Sequence, residues 1–219
     1  MRVAGVDEAG RGCAIGPLVV AGALFHIEDV PRLVEAGVKD SKKLTPRKRQ
    51  RLAGIIMGLA LDHRLVELLP ATIDKVVNRG VPLRRLNYLE TMVMARIVRE
   101  LRPDSAYVDT CDVDHVRCGE QMRSVIPFKV DITCVPNADD IYPVTSAASI
   151  LAKVRRDEIV AGLRAEHGDF GSGYCHDPRT VEFIESWFRN HREAPSFMRA
   201  SWAPVKKRLG GLKQTRLSP

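Results

Sequence analysis

The chain has 219 residues, of which 45% are hydrophobic and 28% are charged, a composition typical of a globular protein with a substantial core and not of a disordered or fibrous one. Its longest uncharged stretch, residues 12–25, is shorter than the roughly 20 residues that cross a bilayer, and the first residues lack an apolar secretory region, so we expect a cytoplasmic protein with no membrane partner. The net charge of +7 favours a polyanionic partner, because neutralising phosphates releases counterions.

Apolar runs in the first hundred residues predict two strands, a helix, a third strand and a long helix. Glycines and a proline separate the first two strands, which predicts an antiparallel hairpin with a tight turn. Thr45 and Pro46 mark the start of the first helix, as N-cap and first helical residue. The predicted elements are strands at residues 2–7, 18–27 and 64–69, a helix that begins at Pro46 and has apolar residues at helical spacing as far as Leu59, and a long helix at about residues 83–101.

The second half of the chain alternates strands with helices. Pro103 ends the long helix, and a short buried strand at residues 106–108 leads directly to Asp109. A further strand is predicted at residues 125–135, a helix at about residues 143–167, and helical structure from about residue 178 onward. Later strands that return through helices, after an initial hairpin, indicate an α/β domain with a mixed sheet.

Acidic residues stand where several predicted elements end or begin. They are Asp7 and Glu8 after the first strand, Asp109 after the buried strand, and Asp139 and Asp140 before the helix at 143–167. Side chains at the carboxyl edge of an α/β sheet converge on one cleft, where carboxylates about 4 Å apart would repel each other by about 4 kcal/mol per pair at an effective dielectric near 20. Divalent cations relieve this repulsion, and an all-oxygen ligand set selects Mg²⁺ or Mn²⁺.

Two other interpretations of these acids stay open. Asp139 and Asp140 can instead cap the following helix, because carboxylates accept hydrogen bonds from its first amides. Asp7 and Glu8 can lie in a solvated turn, and adjacent side chains on a regular strand point to opposite faces. Both reach one site only if the chain bends after Val6, which the glycines that follow permit.

Three lysines and two serines are candidates for substrate contacts. Lys153 lies four residues after Ser149 and seven after Ser146, so these three side chains share one face of the predicted helix. Lys42 and Lys43 are candidates for phosphate contacts, with a solvated turn as the alternative.

The five cysteines show no pattern associated with disulfides or zinc. Their number is odd and no two form a C-x-x-C pair, which disfavours a disulfide framework and a structural zinc site. We therefore expect reduced, partly buried thiols.

Six short strings of the chain form a recognisable set. They are Gly5-Val6-Asp7-Glu8-Ala9-Gly10-Arg11-Gly12, Asp40-Ser41-Lys42-Lys43-Leu44, Tyr107-Val108-Asp109, Ala138-Asp139-Asp140-Ile141-Tyr142-Pro143-Val144, Ser146-Ala147-Ala148-Ser149-Ile150-Leu151-Ala152-Lys153-Val154 and Gly171-Ser172-Gly173-Tyr174. In this order, over residues 1 to about 205, they resemble the ribonuclease HII family, and the compact form without insertions resembles its archaeal branch.

The resemblance implies an RNase H-like fold, with a mixed five-stranded sheet flanked by helices and a helical C-terminal segment. We expect residues 1–195 to form the catalytic domain and residues 196–219 to form a basic helical segment and tail. The implied activity is hydrolysis of RNA in RNA–DNA hybrids, together with incision 5′ of single ribonucleotides embedded in duplex DNA, leaving a 3′-hydroxyl and a 5′-phosphate.

Matched position by position, four acids of this chain stand at the catalytic, metal-binding carboxylates of the family: Asp7, Glu8, Asp109 and Asp139. Two cations held there would activate a water and neutralise the departing 3′-oxygen. Asp7 and Asp109 are expected to matter most, as ligands shared between the two metal positions, with Glu8 and Asp139 each holding one side.

The resemblance also implies how RNA is distinguished from DNA. Gly10, Arg11 and Gly12 match the segment whose backbone senses the 2′-hydroxyl at an RNA–DNA junction, and Tyr174 matches the tyrosine that packs on the neighbouring sugar. A backbone without side chains can approach a hydroxyl closely, and the 2′-hydroxyl both donates and accepts hydrogen bonds. By itself, Arg11 could be an exposed turn residue and Tyr174 a residue of a flexible surface loop.

The chain departs from the family pattern near this segment. Cys13 stands where many relatives have proline, and Cys175-His176 replaces a more usual Pro-Ser after the tyrosine. Neither departure involves a carboxylate, so both are expected to affect junction preference through the rigidity of the tyrosine loop.

The C-terminal residues indicate further contacts. Residues 201–219 carry basic side chains and no acid, and could hold the flanks of a duplex or form a disordered end. Gln214-Thr215-Arg216-Leu217 partly resembles a peptide that binds a sliding clamp, although the two aromatics that normally follow are missing. No heptad pattern or apolar surface stripe is present, so a monomer is expected.

Three alternatives compete with a ribonucleotide-directed nuclease. The first is a DNA nuclease on the same scaffold, which a comparison of one-ribonucleotide and all-DNA duplexes would distinguish. The second is a non-enzymatic nucleic-acid-binding domain, in which the acidic cluster would weaken binding. The third is an ATPase of the sugar-kinase or actin type, which the lack of a G-x-x-x-x-G-K-[ST] motif and the short chain disfavour.

Overall fold

A computed structural model of the protein describes residues 1–38, 44–81, 86–110, 112 and 114–214. Within them the strands are β1 (Arg2–Ala9), β2 (Leu18–His26), β3 (Asp62–Leu68), β4 (Ser105–Asp109) and β5 (Asp131–Val135). The helices are α1 (Val30–Glu35), α2 (Pro46–Leu59), α3 (Pro70–Asn78), α4 (Leu86–Leu101), α5 (His115–Val125), α6 (Ala138–Ile141), α7 (Pro143–His167), α8 (Pro178–Asn190) and α9 (Ala203–Gln214).

The strands form one mixed sheet in the order β3-β2-β1-β4-β5. β1 pairs antiparallel with β2, with Ala4 opposite Leu24, and parallel with β4, with Val6 opposite Val108. β4 and β5 are also parallel. The small apolar side chains of β1 suit a central strand buried on both faces. The predicted α/β class, the antiparallel hairpin and the mixed sheet are confirmed.

β1 passes very close to the start of α7 at Gly5. A Cβ atom there would lie 2.0 Å from the carbonyl oxygen of Val144 and 2.4 Å from the backbone nitrogen of Thr145, so a side chain cannot be accommodated without moving the backbone. The hydroxyl of Thr145 also donates to the carbonyl oxygen of Tyr107 on β4, at 3.0 Å. The first turn of α7 is thereby held against the two central strands.

Helices begin as predicted where the sequence carries a clear start signal. The hydroxyl of Thr45 accepts a hydrogen bond from the backbone nitrogen of Lys48 at 3.3 Å, and α2 begins at Pro46. α7 spans Pro143–His167, the predicted range. Capping and proline geometry act locally, which is why they can be read from the sequence.

The strand predicted at residues 125–135 is wrong in its first half. Only Asp131–Val135 is a strand, and the residues before it include the end of α5. The carboxylate of Asp114 caps α5 by accepting from the backbone nitrogen of Arg117 at 2.9 Å. Four further helices were not predicted from the sequence, and none of them exceeds 11 residues: α1, α3, α5 and α6.

Two compact units make up the chain, each with its own core. The first comprises residues 1–9, 19–67 and 86–155, and its core includes Val6, Val20, Ile97, Val108 and Met122. The second comprises residues 10–18, 68–85 and 156–219, and its core includes Ile15, Val160, Phe170, Ile184 and Val205. The expected boundary at residue 195 stays a prediction.

No helix in the described part of the chain has the length and apolar character needed to span a bilayer. The cysteines at 13, 118, 134 and 175 are free thiols, the first three of them buried.

Candidate active site

Three of the predicted carboxylates meet in the first unit. Oxygen atoms of Asp7, Asp109 and Asp139 all lie within 4.8 Å of one another. Asp7 and Asp109 are brought together because they lie on the neighbouring parallel strands β1 and β4, and Asp139 comes from α6, which follows β5. The backbone nitrogen of Ala138 donates to the carboxylate of Asp109 at 3.3 Å, which ties α6 to the end of β4.

The three acids occupy a site that disfavours negative charge. Asp7 and Asp139 are each only 4% exposed. Burial, and then the charge of Asp109, raise the pKa of Asp7 from 3.8 to about 7, with a smaller contribution from Asp139. Since carboxylates held this closely repel one another, the site favours a cation, and its all-oxygen donor set suits a hard divalent ion.

Ser149 and Lys153 of α7 lie at this cluster and oppose the repulsion. The ammonium of Lys153 donates to the hydroxyl of Ser149 and lies 4.0 Å from a carboxylate oxygen of Asp139. A hydrogen bond from Ser149 and the charge of Lys153 both lower the pKa of Asp7. Ser146, the third predicted residue on this helix face, is 1% exposed, and its hydroxyl has no hydrogen-bond partner among the residues the structure describes.

Glu8 is not part of the group of three. β1 continues without a bend through Asp7 and Glu8, which lie opposite Ala21 and Val20 of β2, so adjacent side chains leave opposite faces of the strand. Glu8 is half-buried, and its backbone nitrogen donates to the carboxylate of Asp7 at 2.7 Å.

Asp140, next to Asp139, is exposed. It belongs to the first turn of α6, whose N-cap is Asn137. The two neighbouring acids therefore differ: Asp139 belongs to the buried cluster and Asp140 faces solvent.

The raised pKa of Asp7 predicts that the metal-free protein loses stability as pH rises. The folded protein binds this proton more tightly than the unfolded chain, in which Asp7 ionises near 3.8. This proton therefore contributes a few kcal/mol to the free energy of unfolding. The contribution is complete below about pH 4 and is lost as pH rises through about 7. When both proteins are unfolded by heat in the presence of chelator, the unfolding temperature of Asp7→Asn should rise relative to that of the native protein between about pH 5 and about pH 8. The reason is that the variant lacks this titration. Parallel pH trends for the two proteins would contradict the expectation.

The glycine segment that follows β1 lies in the second unit. Gly10 has a φ of +87°, and a Cβ atom there would lie 2.5 Å from Nε of Arg156 and 2.9 Å from the carbonyl oxygen of Pro17. Gly12 is exposed, and among the described residues a Cβ atom there would meet only the Tyr174 ring, at 3.7 Å. Glycine is thus required by the backbone at position 10, whereas position 12 has room for a small side chain.

Tyr174 is held by contacts within the second unit. Its backbone forms an antiparallel bridge with Cys13, and the guanidinium carbon of Arg156 lies 5.1 Å from its ring centroid. The same guanidinium donates to the sulfur of Cys13 at 2.9 Å and to the carbonyl oxygen of Ser172 at 3.1 Å. The ring of His176 lies 5.4 Å from that of Tyr174. Tyr174 is therefore packed against several groups of its own unit, and the flexibility of its loop stays a prediction.

Sequence reasoning missed Arg156 as a support of this segment. It is 5% exposed and lies two residues beyond the recognised string on α7, and no local pattern marks it. Lys42 and Lys43 lie outside the described residues.

Comparisons with known proteins agree on one family. The sequence model of the ribonuclease HII family matches residues 4–205. The ribonuclease HII of Thermococcus onnurineus is 43% identical over 207 residues, which are 94% of this chain and 89% of that protein.

Solved structures give the same result for the fold. The ribonuclease H2 of Pyrococcus horikoshii superposes with a TM-score of 0.89 at 36% identity, covering 98% of this chain and 100% of that one. The ribonuclease HII of Archaeoglobus fulgidus, in a complex with PCNA, gives a TM-score of 0.84 at 37% identity, covering 93% and 96%. The expected RNase H-like fold is confirmed.

Proposed function

Because this chain belongs to the ribonuclease HII family, and is therefore a divalent-metal-dependent endonuclease with ribonuclease H activity on RNA–DNA hybrids, we propose that it also incises duplex DNA on the 5′ side of an embedded ribonucleotide. Two divalent cations held by its carboxylates would serve both reactions. The observation that carries the proposal is the convergence of three carboxylates within 4.8 Å. In a cell, such an activity would remove ribonucleotides and RNA primers from DNA.

The residues present fit a pair of hard cations. Asp7, Asp109 and Asp139 offer only oxygen ligands, and their burial leaves repulsion that positive charge relieves. We assign Asp7 and Asp109 as shared ligands and Asp139 as a ligand on one side. Glu8 lies outside the group of three, and its assignment to the other side rests on the family resemblance alone. When bound, Mg²⁺ or Mn²⁺ lowers the pKa of a coordinated water and neutralises the departing 3′-oxygen.

Ser149 and Lys153 prepare the carboxylates for this role. The hydroxyl of Ser149 and the ammonium of Lys153 favour the ionised form of Asp7, the form that binds metal. With a side chain 24% exposed, Lys153 can also meet a substrate phosphate. We include Ser146, Lys42 and Lys43 among the substrate contacts on sequence grounds alone.

Recognition of RNA is assigned to the glycine segment. The backbone of Gly10, Arg11 and Gly12 would bind the 2′-hydroxyl at the RNA–DNA junction, with Arg11 bracing a phosphate. Tyr174 would pack on the adjacent sugar, a stacking contact worth about 1–3 kcal/mol. Its support by Arg156 means that little side-chain freedom is lost on binding.

A cleavage assay on three duplexes tests the proposal. A DNA duplex with one ribonucleotide and a long RNA–DNA hybrid should both be cut with Mg²⁺ or Mn²⁺, and neither with chelator, while an all-DNA duplex should stay intact. The one-ribonucleotide product should carry a 5′-phosphate on the ribonucleotide. Equal cutting of the all-DNA duplex would indicate a DNA nuclease on this scaffold, and binding without cutting would indicate a non-enzymatic domain.

We also propose a sliding clamp as a partner. The support is the clamp complex of the Archaeoglobus fulgidus relative and the string Gln214-Thr215-Arg216-Leu217, whose last three residues lie outside the described part. Titration with a purified archaeal clamp should show binding that Leu217→Ala abolishes, because the apolar side chain fills the clamp pocket. Lys213→Ala is the matched control and should reduce binding only slightly. Unchanged affinity of Leu217→Ala would contradict this assignment.

A further inference from the structure

Arg199 is a fully buried arginine that donates to the backbone carbonyls of Gly10, Arg11 and Gly16. It is 0% exposed and precedes α9 in the second unit. Its Nη2 donates to the carbonyl oxygen of Gly10 at 2.7 Å and its Nη1 to that of Arg11 at 2.8 Å. Its Nε donates to the carbonyl oxygen of Gly16 at 3.1 Å. One side chain, 188 residues away in sequence from Arg11, thus joins the carbonyls of Gly10 and Arg11 to that of Gly16.

A buried guanidinium is costly unless its donors are satisfied. Burial, with a smaller contribution from the nearby charge of Arg156, lowers the pKa of Arg199 to about 10, so the side chain is still charged near neutral pH. The rigid planar fork of arginine fixes where its acceptors must lie. The three carbonyl oxygens and the guanidinium therefore hold one another in place.

The direction of these carbonyls determines where the amides of the segment point. In a planar trans peptide the C=O of one residue and the N–H of the next point in opposite directions. Since the carbonyls of Gly10 and Arg11 point at Arg199, the N–H groups of Arg11 and Gly12 point away from it. A hydrogen bond from the backbone nitrogen of Cys13 to the carbonyl oxygen of Gly10, at 3.3 Å, closes the same turn.

Asp74 of α3 anchors the backbone next to Arg199. Its carboxylate accepts from the backbone nitrogens of Ala200, at 2.8 Å, and Ser201, at 2.9 Å, and from the hydroxyl of Ser201. The backbone nitrogen of Arg199 itself donates to the carbonyl oxygen of Ala14 at 2.8 Å. The segment that carries the guanidinium is therefore fixed on both sides.

We infer that Arg199 is a positioning residue that sets the orientation of the Arg11 and Gly12 amides, with Asp74 holding Arg199 in register. The role in catalysis rests on the proposed reading of the 2′-hydroxyl by this segment. The positioning itself does not, since it concerns the protein without substrate.

Two measurements on the same variants test the inference. In Arg199→Met the apolar stem is kept and the donors are lost, so amide hydrogen exchange at residues 10–13 should rise selectively. The kcat/KM for the one-ribonucleotide duplex should fall by about 10- to 100-fold, and by less for the long hybrid, which offers many registers. For Arg199→Lys, amide exchange and kcat/KM should lie between the values of the native protein and of Arg199→Met, because a single ammonium cannot bind three diverging carbonyls. Asp74→Asn should change both quantities in the same direction as Arg199→Met, but by less.

A stability-matched control separates positioning from general weakening. Val205→Ala shortens a fully buried side chain of the same unit and leaves Arg199 and its three acceptors unchanged. It should lower the midpoint temperature of unfolding while leaving unchanged the ratio of kcat/KM for the one-ribonucleotide duplex to kcat/KM for the long hybrid.

The outcomes are distinguishable. Unchanged exchange at residues 10–13 in folded Arg199→Met overturns the inference, and if that variant does not fold, unchanged exchange in both Arg199→Lys and Asp74→Asn overturns it equally. If amide exchange rises but the ratio of kcat/KM for the two substrates is unchanged, Arg199 does position the Arg11 and Gly12 amides. That result would overturn the proposed recognition of the 2′-hydroxyl by these amides.

Discussion

Replacing Asp7 or Asp109 by asparagine should lower hybrid cleavage by about 10²–10³-fold or more, the scale on which loss of one transition-state interaction acts, while the fold stays intact. Asparagine keeps the size of the side chain but removes the charge that binds a cation. Asp7 lies buried among the other acids, so its loss also relieves repulsion, and the metal-free variant should unfold at a higher temperature than the native protein near pH 8. Steady-state cleavage with Mg²⁺, together with calorimetric titration of Mn²⁺, measures both effects.

Asp140→Asn is the matched control for this experiment. It changes an acid adjacent to Asp139 in the same short helix, but one that is exposed and outside the group of three. Its activity and Mn²⁺ affinity should stay close to those of the native protein. Near-native turnover by Asp7→Asn in Mg²⁺ would contradict metal binding by this cluster.

Gly5→Ala should destabilise the protein by about 3 kcal/mol or more, above the usual range for overpacked cores. The added Cβ would lie 2.0 Å from the carbonyl oxygen and 2.1 Å from the carbonyl carbon of Val144. These are backbone atoms of α7, so no side-chain rotation relieves the clash, and β1 and α7 must separate. Asp7 on β1 and Ser149 on α7 would separate with them, so activity should fall as well. Urea unfolding and hybrid cleavage of the variant measure the two effects.

Gly54→Ala is the opposite case within the same unit. Gly54 lies in α2, and a Cβ atom there meets no atom of the described part of the chain within 4 Å. Alanine should stabilise the helix by about 0.5–1 kcal/mol, because it loses less conformational freedom on folding. If both substitutions changed stability in the same direction and by similar amounts, the close approach at Gly5 would not be the cause.

Local signals in the chain were enough for several elements of the fold. Thr45 and Pro46 mark the start of α2, and the long apolar stripe of α7 gives its full range, because capping and periodicity depend on neighbours in sequence. The strand expected at residues 125–135 was wrong in its first half. Residues 126–130 connect the end of α5 to the start of β5, and an apolar run does not show where such a connection lies.

For the site, the sequence by itself determined the residue types, their order and, through the resemblance, the family. Acids at the ends of predicted elements indicated an oxygen-ligand metal site, because strand ends of an α/β sheet meet at one edge. Spacing alone could not decide between metal binding, helix capping and a solvated turn, since each uses carboxylates in the same local positions.

Only the tertiary structure decided which side chains meet. It brought Asp7, Asp109 and Asp139 together, left Glu8 out of that group and placed Asp140 in solvent, although each acid lies next to another in sequence or follows a similar strand. It also placed Arg199 and Asp74 behind a glycine segment far away in the chain. Such contacts depend on how strands pair and helices pack, which links residues of large sequence separation, and no local pattern carries that information.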